Sequence, residues 1–316
     1  MTSACPLCGA PSKNLAVLVD HFFGSPGEWA YQRCTSAVCG VAFPLPAPTD
    51  AELATAYSTY YTHEDSGGTS LPGRIEAHLS TLGARAYGKM RHFPVIGWLA
   101  EQIAWELGGL KPRDGLIVDI GAGDGARLKR LRHSGWTQVA GVEPDPQAVK
   151  AARAASIDVN VGSAEAVPMG DNSADAVLMH HVIEHVRDPR KAFVEAHRIL
   201  KPGGELSIVT PNINSIGRER WGGFWRGFEA PRHLTIFTLA ALDMLARDTG
   251  FEVTCNRSSA RSAAWVDEVS GQAAGATSIP LGRLARLRRA DKAFRAQAGT
   301  SDRGEEIVFV ARKPHV

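Results

Sequence analysis

Apolar residues fall into short, regularly spaced runs through the middle of the chain. Leu116–Ile120, Val139–Val142, Ala176–His180 and Glu205–Thr210 have the length and composition of buried strands. Between them, Ala126–His133, Gln147–Ala155 and Arg190–Leu200 place apolar side chains at helical intervals. Such alternation predicts an α/β architecture, a parallel sheet with helices on both faces. Downstream, Leu239–Thr249 predicts the last core helix, with Gly250 as its C-cap. Phe251–Asn256 and Glu305–Arg312 read as a final pair of strands, joined by 48 residues where a short turn would suffice. Upstream, Leu15–Val19 and Trp29–Arg33 read as short strands, and Thr49-Asp50 caps a short helix through Tyr57. Residues 75–110 repeat apolar side chains at helical spacing, interrupted at Pro94.

Composition narrows the class. The 316 residues are 44% hydrophobic and 22% charged, which excludes a disordered tail, a collagen-like fibre and a long coiled coil. A formal charge of +2 offers no field for a polyanion, so a nucleic-acid partner is disfavoured. No apolar run reaches the roughly 18 residues of a membrane helix, and the first residues lack a signal-peptide pattern. The expected compartment is therefore the cytoplasm, where thiols stay reduced.

In that setting four of the five cysteines, all within the first 39 residues, gain meaning. Cys5-Pro-Leu-Cys8-Gly9 and Cys34-Thr-Ser-Ala-Val-Cys39-Gly40 have the pair spacing of structural zinc ligands, and a segment this short folds poorly without a cross-link. Each following glycine lets backbone amides turn toward a thiolate. Cys255 reads as a small core residue.

Val118-Asp119-Ile120-Gly121-Ala122-Gly123-Asp124-Gly125 stands where the first strand passes into the first helix, a site of close backbone approach to a ligand. Glu143, 18 residues after Gly125 at the end of the next strand, is placed to accept hydrogen bonds from ribose hydroxyls. Gly121-x-Gly123-x-x-Ala126 also satisfies a dinucleotide fingerprint. Asp119, two residues before the first glycine, and the third glycine at Gly125 favour S-adenosylmethionine, whose amino-acid tail needs no pyrophosphate cradle. Over residues 111–256 the sequence resembles the class I S-adenosylmethionine-dependent methyltransferases. The resemblance extends to Gly162-Ser-Ala-Glu165-Ala-Val-Pro168, to Asn172–His185 with Val186-Arg-Asp-Pro189, and to Ile199-Leu-Lys-Pro-Gly-Gly-Glu205. It implies a Rossmann-like, mostly parallel sheet with the last strand antiparallel, and cofactor contacts from Asp119, Gly121, Gly123, Gly125, Glu143, Pro144, Ala164, Glu165 and His180. Ser163 departs from the Asp common in the family, so the adenine contact is expected from backbone or Glu165.

His181-Val-Ile-Glu184-His185 also matches an inverted zinc-protease pattern, but no downstream ligand is singled out and the methyltransferase motif explains the same residues. His185 reads as packing at the start of the following helix. His181 at the sheet's carboxyl edge and His233 in Ala230-Pro-Arg-His233 are candidate bases for an acceptor that arrives protonated. Trp221, Phe224, Trp225 and Phe228, interleaved with glycine, read as an apolar lid or a packed corner. Leu281, Leu284 and Leu287 with Arg283, Arg286, Arg288 and Arg289 form a basic amphipathic pattern. Its plainest reading is a solvated face docked on the sheet edge. Residues 281–295 could also give weak surface association.

The expected organisation is a zinc-binding module at 1–48, a helical linker or cap at 49–110 and a methyltransferase domain at 111–316. That domain would carry a lid segment at 211–238 and a helical insertion at 257–304. The N-terminal pattern is similar to zinc-module methyltransferases of sugar and secondary-metabolite pathways. It implies S-adenosyl-L-methionine and structural zinc as cofactors, and oxygen or carbon methylation of a small-molecule, glycosyl or carrier-linked substrate. The alternatives are a zinc-ribbon ribosomal RNA methyltransferase and a non-catalytic adaptor; against the adaptor, the cofactor-site residues are all present.

Overall fold

The structure is a computed structural model that describes residues 3–58, 115–133, 136–276, 296 and 302–315. An N-terminal antiparallel sheet is built from β1 (Ser12–Leu18), β2 (Trp29–Cys34) and β3 (Ala42–Pro44), followed by helix α1 (Asp50–Ser58). The main sheet begins with β4 (Leu116–Ile120), β5 (Gln138–Glu143), β6 (Val159–Val161) and β7 (Ala174–His180). It continues with β8 (Leu200–Pro211), β9 (Glu252–Ser259) and β10 (Glu306–Arg312), in the spatial order β6-β5-β4-β7-β8-β10-β9. Strands β4 to β8 pair in parallel, and β10 runs antiparallel between β8 and β9. The chain order reverses direction across β4, which opens a crevice at the carboxyl ends of β4 and β7.

Helices α2 (Ala126–His133) and α3 (Pro146–Ala154) cover one face of the sheet; α4 (Pro189–Ile199) and α6 (Leu239–Asp248) cover the other. Between the latter two lies the short α5 (Ile216–Trp221). The strand period of two divides the core. Ile117 and Leu178 face Leu128, Leu131 and Val149, whereas Val118, Ile120, Val177 and Met179 face Phe193, Leu242 and Leu245. Start signals are local: Asp145, Asp188 and Thr238 cap α3, α4 and α6, with proline at the first position of α3 and α4.

The cysteine module is joined to this core. Cys5, Cys34, Cys39, Val41 and Phe43 belong to the same buried cluster as the sheet face under α4 and α6. Ala42 and Ile236 exchange backbone hydrogen bonds of 3.0 and 2.8 Å, and Thr238 Oγ1 donates to the Cys39 carbonyl at 2.6 Å. The deepest tie is Arg232, fully buried with Asp20: its guanidinium donates to Asp20 Oδ2 at 2.9 and 3.0 Å, to Ser25 Oγ and to the Ala56 carbonyl. Asp20 in turn accepts from the backbone of Phe22, Phe23 and Ser25.

Two strand boundaries depart from the sequence reading. Strand β8 starts at Leu200, five residues before the expected run, and β9 continues to Ser259, inside the span assigned to the insertion. That span also carries α7 (Ala263–Ala273). The aromatic segment is a packed corner: Trp225 and Phe228 are buried edge to face, and Trp225 Nε1 donates to Glu305 Oε2 at 2.8 Å. Cys255 is half-buried on β9 beside the α2–α3 cluster. The basic 281–295 pattern and most of the 49–110 linker lie outside the described residues.

Candidate active site

The glycine loop leaves β4 and returns under it. Gly121 N donates to the Val142 carbonyl at 2.8 Å, which ties the loop to the end of β5. At Gly121, with φ +74°, a Cβ would lie 2.4 Å from Val182 Cγ2, so glycine there serves packing against the turn after β7. Gly123, with φ +54°, has no heavy atom within 4 Å of the equivalent position and faces open space. Glu143 is held beneath it: Oε2 accepts from Gly123 N and Oε1 from Asp145 N, both at 3.0 Å. Each oxygen keeps a further lone pair for a ligand hydroxyl. This cradle fits a nucleoside bearing an amino-acid tail, with backbone N–H groups and a carboxylate as its donors and acceptors.

The other expected cofactor contacts divide. Pro144 follows Glu143 on the exposed rim, Gly125 closes the loop, and buried Ala164 sits in a tight turn between Ser163 and Ala166. Asp119 is buried and accepts from Arg127 at 3.2 Å. Two of these side chains also have partners within the protein. Glu165 Oε1 accepts from Asp188 N at 2.8 Å, bracing the entry to α4. His180 is buried with Nε2 3.3 Å from Ser207 Oγ, and burial holds its pKa well below the usual value.

Beyond Val182 lies a cavity of about 450 Å³, lined by residues from the ends of β7 and β8, the aromatic corner, α7 and the start of β10. Eight of its lining residues are ionisable, His181, His185, Glu229, His233, Arg261 and Glu306 among them. His181 and Glu229 carry positive φ angles, +56° and +38°, a strained backbone that the surrounding packing has to impose. His181 Nδ1 lies 3.2 Å from Glu184 Oε1 and Nε2 3.4 Å from Glu306 Oε1. Burial pushes its pKa down, but the hydrogen bonds to the two carboxylates outweigh this and raise it to about 9. At neutral pH the His181 ring is thus protonated between the two carboxylates. His233 is the opposite case: burial pushes its pKa down to about 4, and the neutral ring directs Nδ1 at the Gly227 carbonyl, 2.8 Å away. Tyr31 of the cysteine module donates to the His233 carbonyl at 2.8 Å.

The sequence reading missed four lining residues. His185 stands in the turn before α4, its ring 4.7 Å from that of His233, rather than packing into a helix start. Glu229, Arg261 and Glu306 come from separate segments with no shared motif. Their one sequence-level signal is charge placed beside buried aromatic and strand residues.

In the N-terminal module the four sulfurs converge. Cys5 and Cys39 Sγ lie 3.9 Å apart, Cys8 and Cys34 Sγ 3.5 Å, and all four fall within 4.8 Å of one another. Zinc–sulfur bonds of about 2.3 Å place tetrahedral ligands about 3.8 Å apart, so the set fits a zinc ion and is too wide for disulfides. Gly9 and Gly40, with φ +73° and +60°, turn the chain just after each second cysteine.

Residues 99–256, half of the chain, match the family described as Methyltransferase domain. The chain belongs to this methyltransferase family. An uncharacterized methyltransferase of Mycobacterium tuberculosis is 37% identical over 132 residues, 41% of this chain and 50% of the relative. A protein of Mycolicibacterium smegmatis named as a probable S-adenosylmethionine-dependent methyltransferase is 31% identical over 189 residues, 58% of this chain and 67% of the relative. This methyltransferase chain spans about half the length of the first relatives it matches. Among solved structures, the [4+2]-cyclase SpnF shares the fold with TM-score 0.51 at 19% identity, covering 87% of this chain and 99% of that one. Among the described residues no helix is long and apolar enough to cross a membrane.

Proposed function

We propose that the protein transfers a methyl group from S-adenosylmethionine to an oxygen or acidic carbon of a small, hydroxylated acceptor such as a glycosyl unit, bound in the cavity. The observation that carries this reading is adjacency: Val182 packs on the glycine loop while its neighbour His181 lines the cavity. Glu143 would hold the ribose hydroxyls, the Gly121–Gly125 loop and Asp119 the amino-acid end, and the Ser163–Glu165 turn the base. When bound, the cofactor supplies a methyl group already activated by a sulfonium.

The chain's own residues then align the acceptor, exclude water and handle its proton. Charged His181, its two N–H groups held by Glu184 and Glu306, sets a positive charge on the cavity wall beside the acceptor. Glu229 is the proton acceptor we favour, because its Oε1 is buried in the cavity wall with no hydrogen-bond partner among the described residues. His233 stays beside it, Nε2 3.7 Å from Glu229 Oε2. The cysteine module, on this reading, is a zinc-held domain at 1–48 that supports the acceptor cavity, with the lid segment 211–238 as its wall.

The test is calorimetric titration with S-adenosylmethionine and NAD, followed by methyl-label transfer across a panel of sugars and hydroxylated small molecules. S-adenosylmethionine should bind. Glu229→Gln should retain that binding and lower turnover by about tenfold or more, the usual weight of general base catalysis. Binding of NAD alone would overturn the assignment, and undiminished turnover by Glu229→Gln would remove it from the mechanism.

A further inference from the structure

We infer that Glu184, His185 and His233 form a second metal site in the cavity wall, one that takes a first-row divalent cation such as Mn²⁺, Fe²⁺ or Zn²⁺. One ligand atom of each lies within 4.8 Å of the other two, and ligands about 2.1 Å from a common ion stand at most about 4.2 Å apart, so a small inward closing of the three side chains completes the site. The hydrogen bonds behind the rings point the same way. His185 Nδ1 is 3.1 Å from the Arg232 carbonyl, and His233 Nδ1 is 2.8 Å from the Gly227 carbonyl. A carbonyl only accepts, so the His233 proton sits on Nδ1 and its Nε2 presents a lone pair; His185 Nδ1 faces both the carbonyl and the Tyr57 hydroxyl 3.0 Å away, and with the proton on Nδ1 its Nε2 presents a lone pair as well. Carbonyl-braced imidazoles of this kind are the outer-shell arrangement that fixes metal-ligating histidines.

Glu184 is likewise oriented, its Oε2 accepting from Thr210 Oγ1 at 3.0 Å. The independent sign of a ligand is Glu229, 4% exposed and lining the same cavity: Arg226 holds its Oε2, while its Oε1 has no hydrogen-bond partner among the described residues. Two imidazoles and one or two carboxylates suit Mn²⁺, Fe²⁺ or Zn²⁺, whereas the sulfur set of the N-terminal module selects zinc. The set shares Glu184 and His185 with the His-x-x-Glu-His pattern but not His181. His181 has both ring nitrogens committed to Glu184 and Glu306, and His233 takes its place from 48 residues beyond His185.

The role of the site rests on the proposed acceptor cavity. A cation here would bind the acceptor hydroxyl and lower its pKa. The hydroxyl proton would pass to Glu229. The freed oxygen pair would form the new O–CH₃ bond as the CH₃–S bond breaks, and that bonding pair would remain on sulfur.

The experiment uses the full chain with its cysteine site loaded with zinc. Mn²⁺ titration followed by electron paramagnetic resonance should show one bound Mn²⁺ per chain. Co²⁺ added to the same protein should give weak ligand-field bands without sulfur charge transfer. Glu184→Gln and His185→Gln, checked by circular dichroism, should each weaken Mn²⁺ binding by roughly tenfold or more. The proposal is overturned if the zinc-loaded wild type takes up neither ion beyond the cysteine site. It is equally overturned if folded His185→Gln binds Mn²⁺ like the wild type. Either result with S-adenosylmethionine binding intact would leave the proposed methyl transfer standing.

Discussion

Two glycines of one loop should fail in different ways when changed to alanine. Gly121 and Gly123 both have left-handed backbones, with φ +74° and +54°, so an L-residue costs about 1–2 kcal/mol at either. They differ in what the new methyl group meets. At Gly121 it would lie 2.4 Å from Val182 Cγ2, and the overpacking adds about 1–3 kcal/mol, for a total of about 2–5 kcal/mol. At Gly123 it meets nothing within 4 Å and enters the space assigned to the cofactor, while the N–H to Glu143 is kept. Gly121→Ala should therefore lower the urea midpoint strongly. Gly123→Ala should shift the midpoint slightly yet weaken S-adenosylmethionine by about tenfold or more, worth about 1.4 kcal/mol. Urea unfolding followed by circular dichroism gives the first quantity and calorimetric titration the second. Equal destabilisation by both variants, or wild-type cofactor affinity in Gly123→Ala, would refute the assignment of the open side of the loop to the ligand.

Two further tests probe how the N-terminal module is joined. Asp20→Asn leaves Arg232 buried without its counter-charge and should cost about 3–5 kcal/mol near neutral pH, measured by chemical unfolding. Burial pushes the Asp20 pKa up, but the backbone N–H groups of Phe23, Ser25 and Phe22 outweigh it, so the folded value is depressed. Its contribution is present above the unfolded pKa of about 3.9 and is lost as pH falls through the folded value, so the gap between wild type and Asp20→Asn should narrow below about pH 4. A gap constant down to pH 2 would contradict the pairing. Cys34→Ser should reduce zinc content by about one ion per chain and lower the melting temperature by about 2–4 °C for each kcal/mol of module stability lost. Zinc retained at the wild-type level, by mass spectrometry of the purified chain, would rule out the four-cysteine site.

How much of this was legible beforehand depends on whether the signal is local. The strands β4, β5 and β7 announce themselves as apolar runs, and Asp145, Asp188 and Thr238 mark helix starts within a residue of where they occur. Strands β3 and β6 have three residues each, too short for a period to register, and exist because a neighbouring strand completes their hydrogen bonds. The glycine loop and its acidic partner lie within one strand–helix–strand unit, so spacing alone located them. The cavity is different in kind. His181 and His185, Glu229 and His233, Arg261, and Glu306 arrive from four segments that only the folded sheet brings together.

The side chains that fix this wall are the least visible of all. Arg232 reads as an ordinary surface residue until Asp20, 212 positions earlier, is placed against it. Its neighbour His233 has its carbonyl held by Tyr31 from β2. His233 in the cavity wall is thereby positioned by the cysteine module, through one buried ion pair and one phenol. Cys34→Ser and Asp20→Asn should then converge on the same defect, a displaced His233, even though neither residue lines the cavity. On the proposed function, a short cysteine-rich segment that looks like an appendage in the sequence acts as a template for the acceptor site.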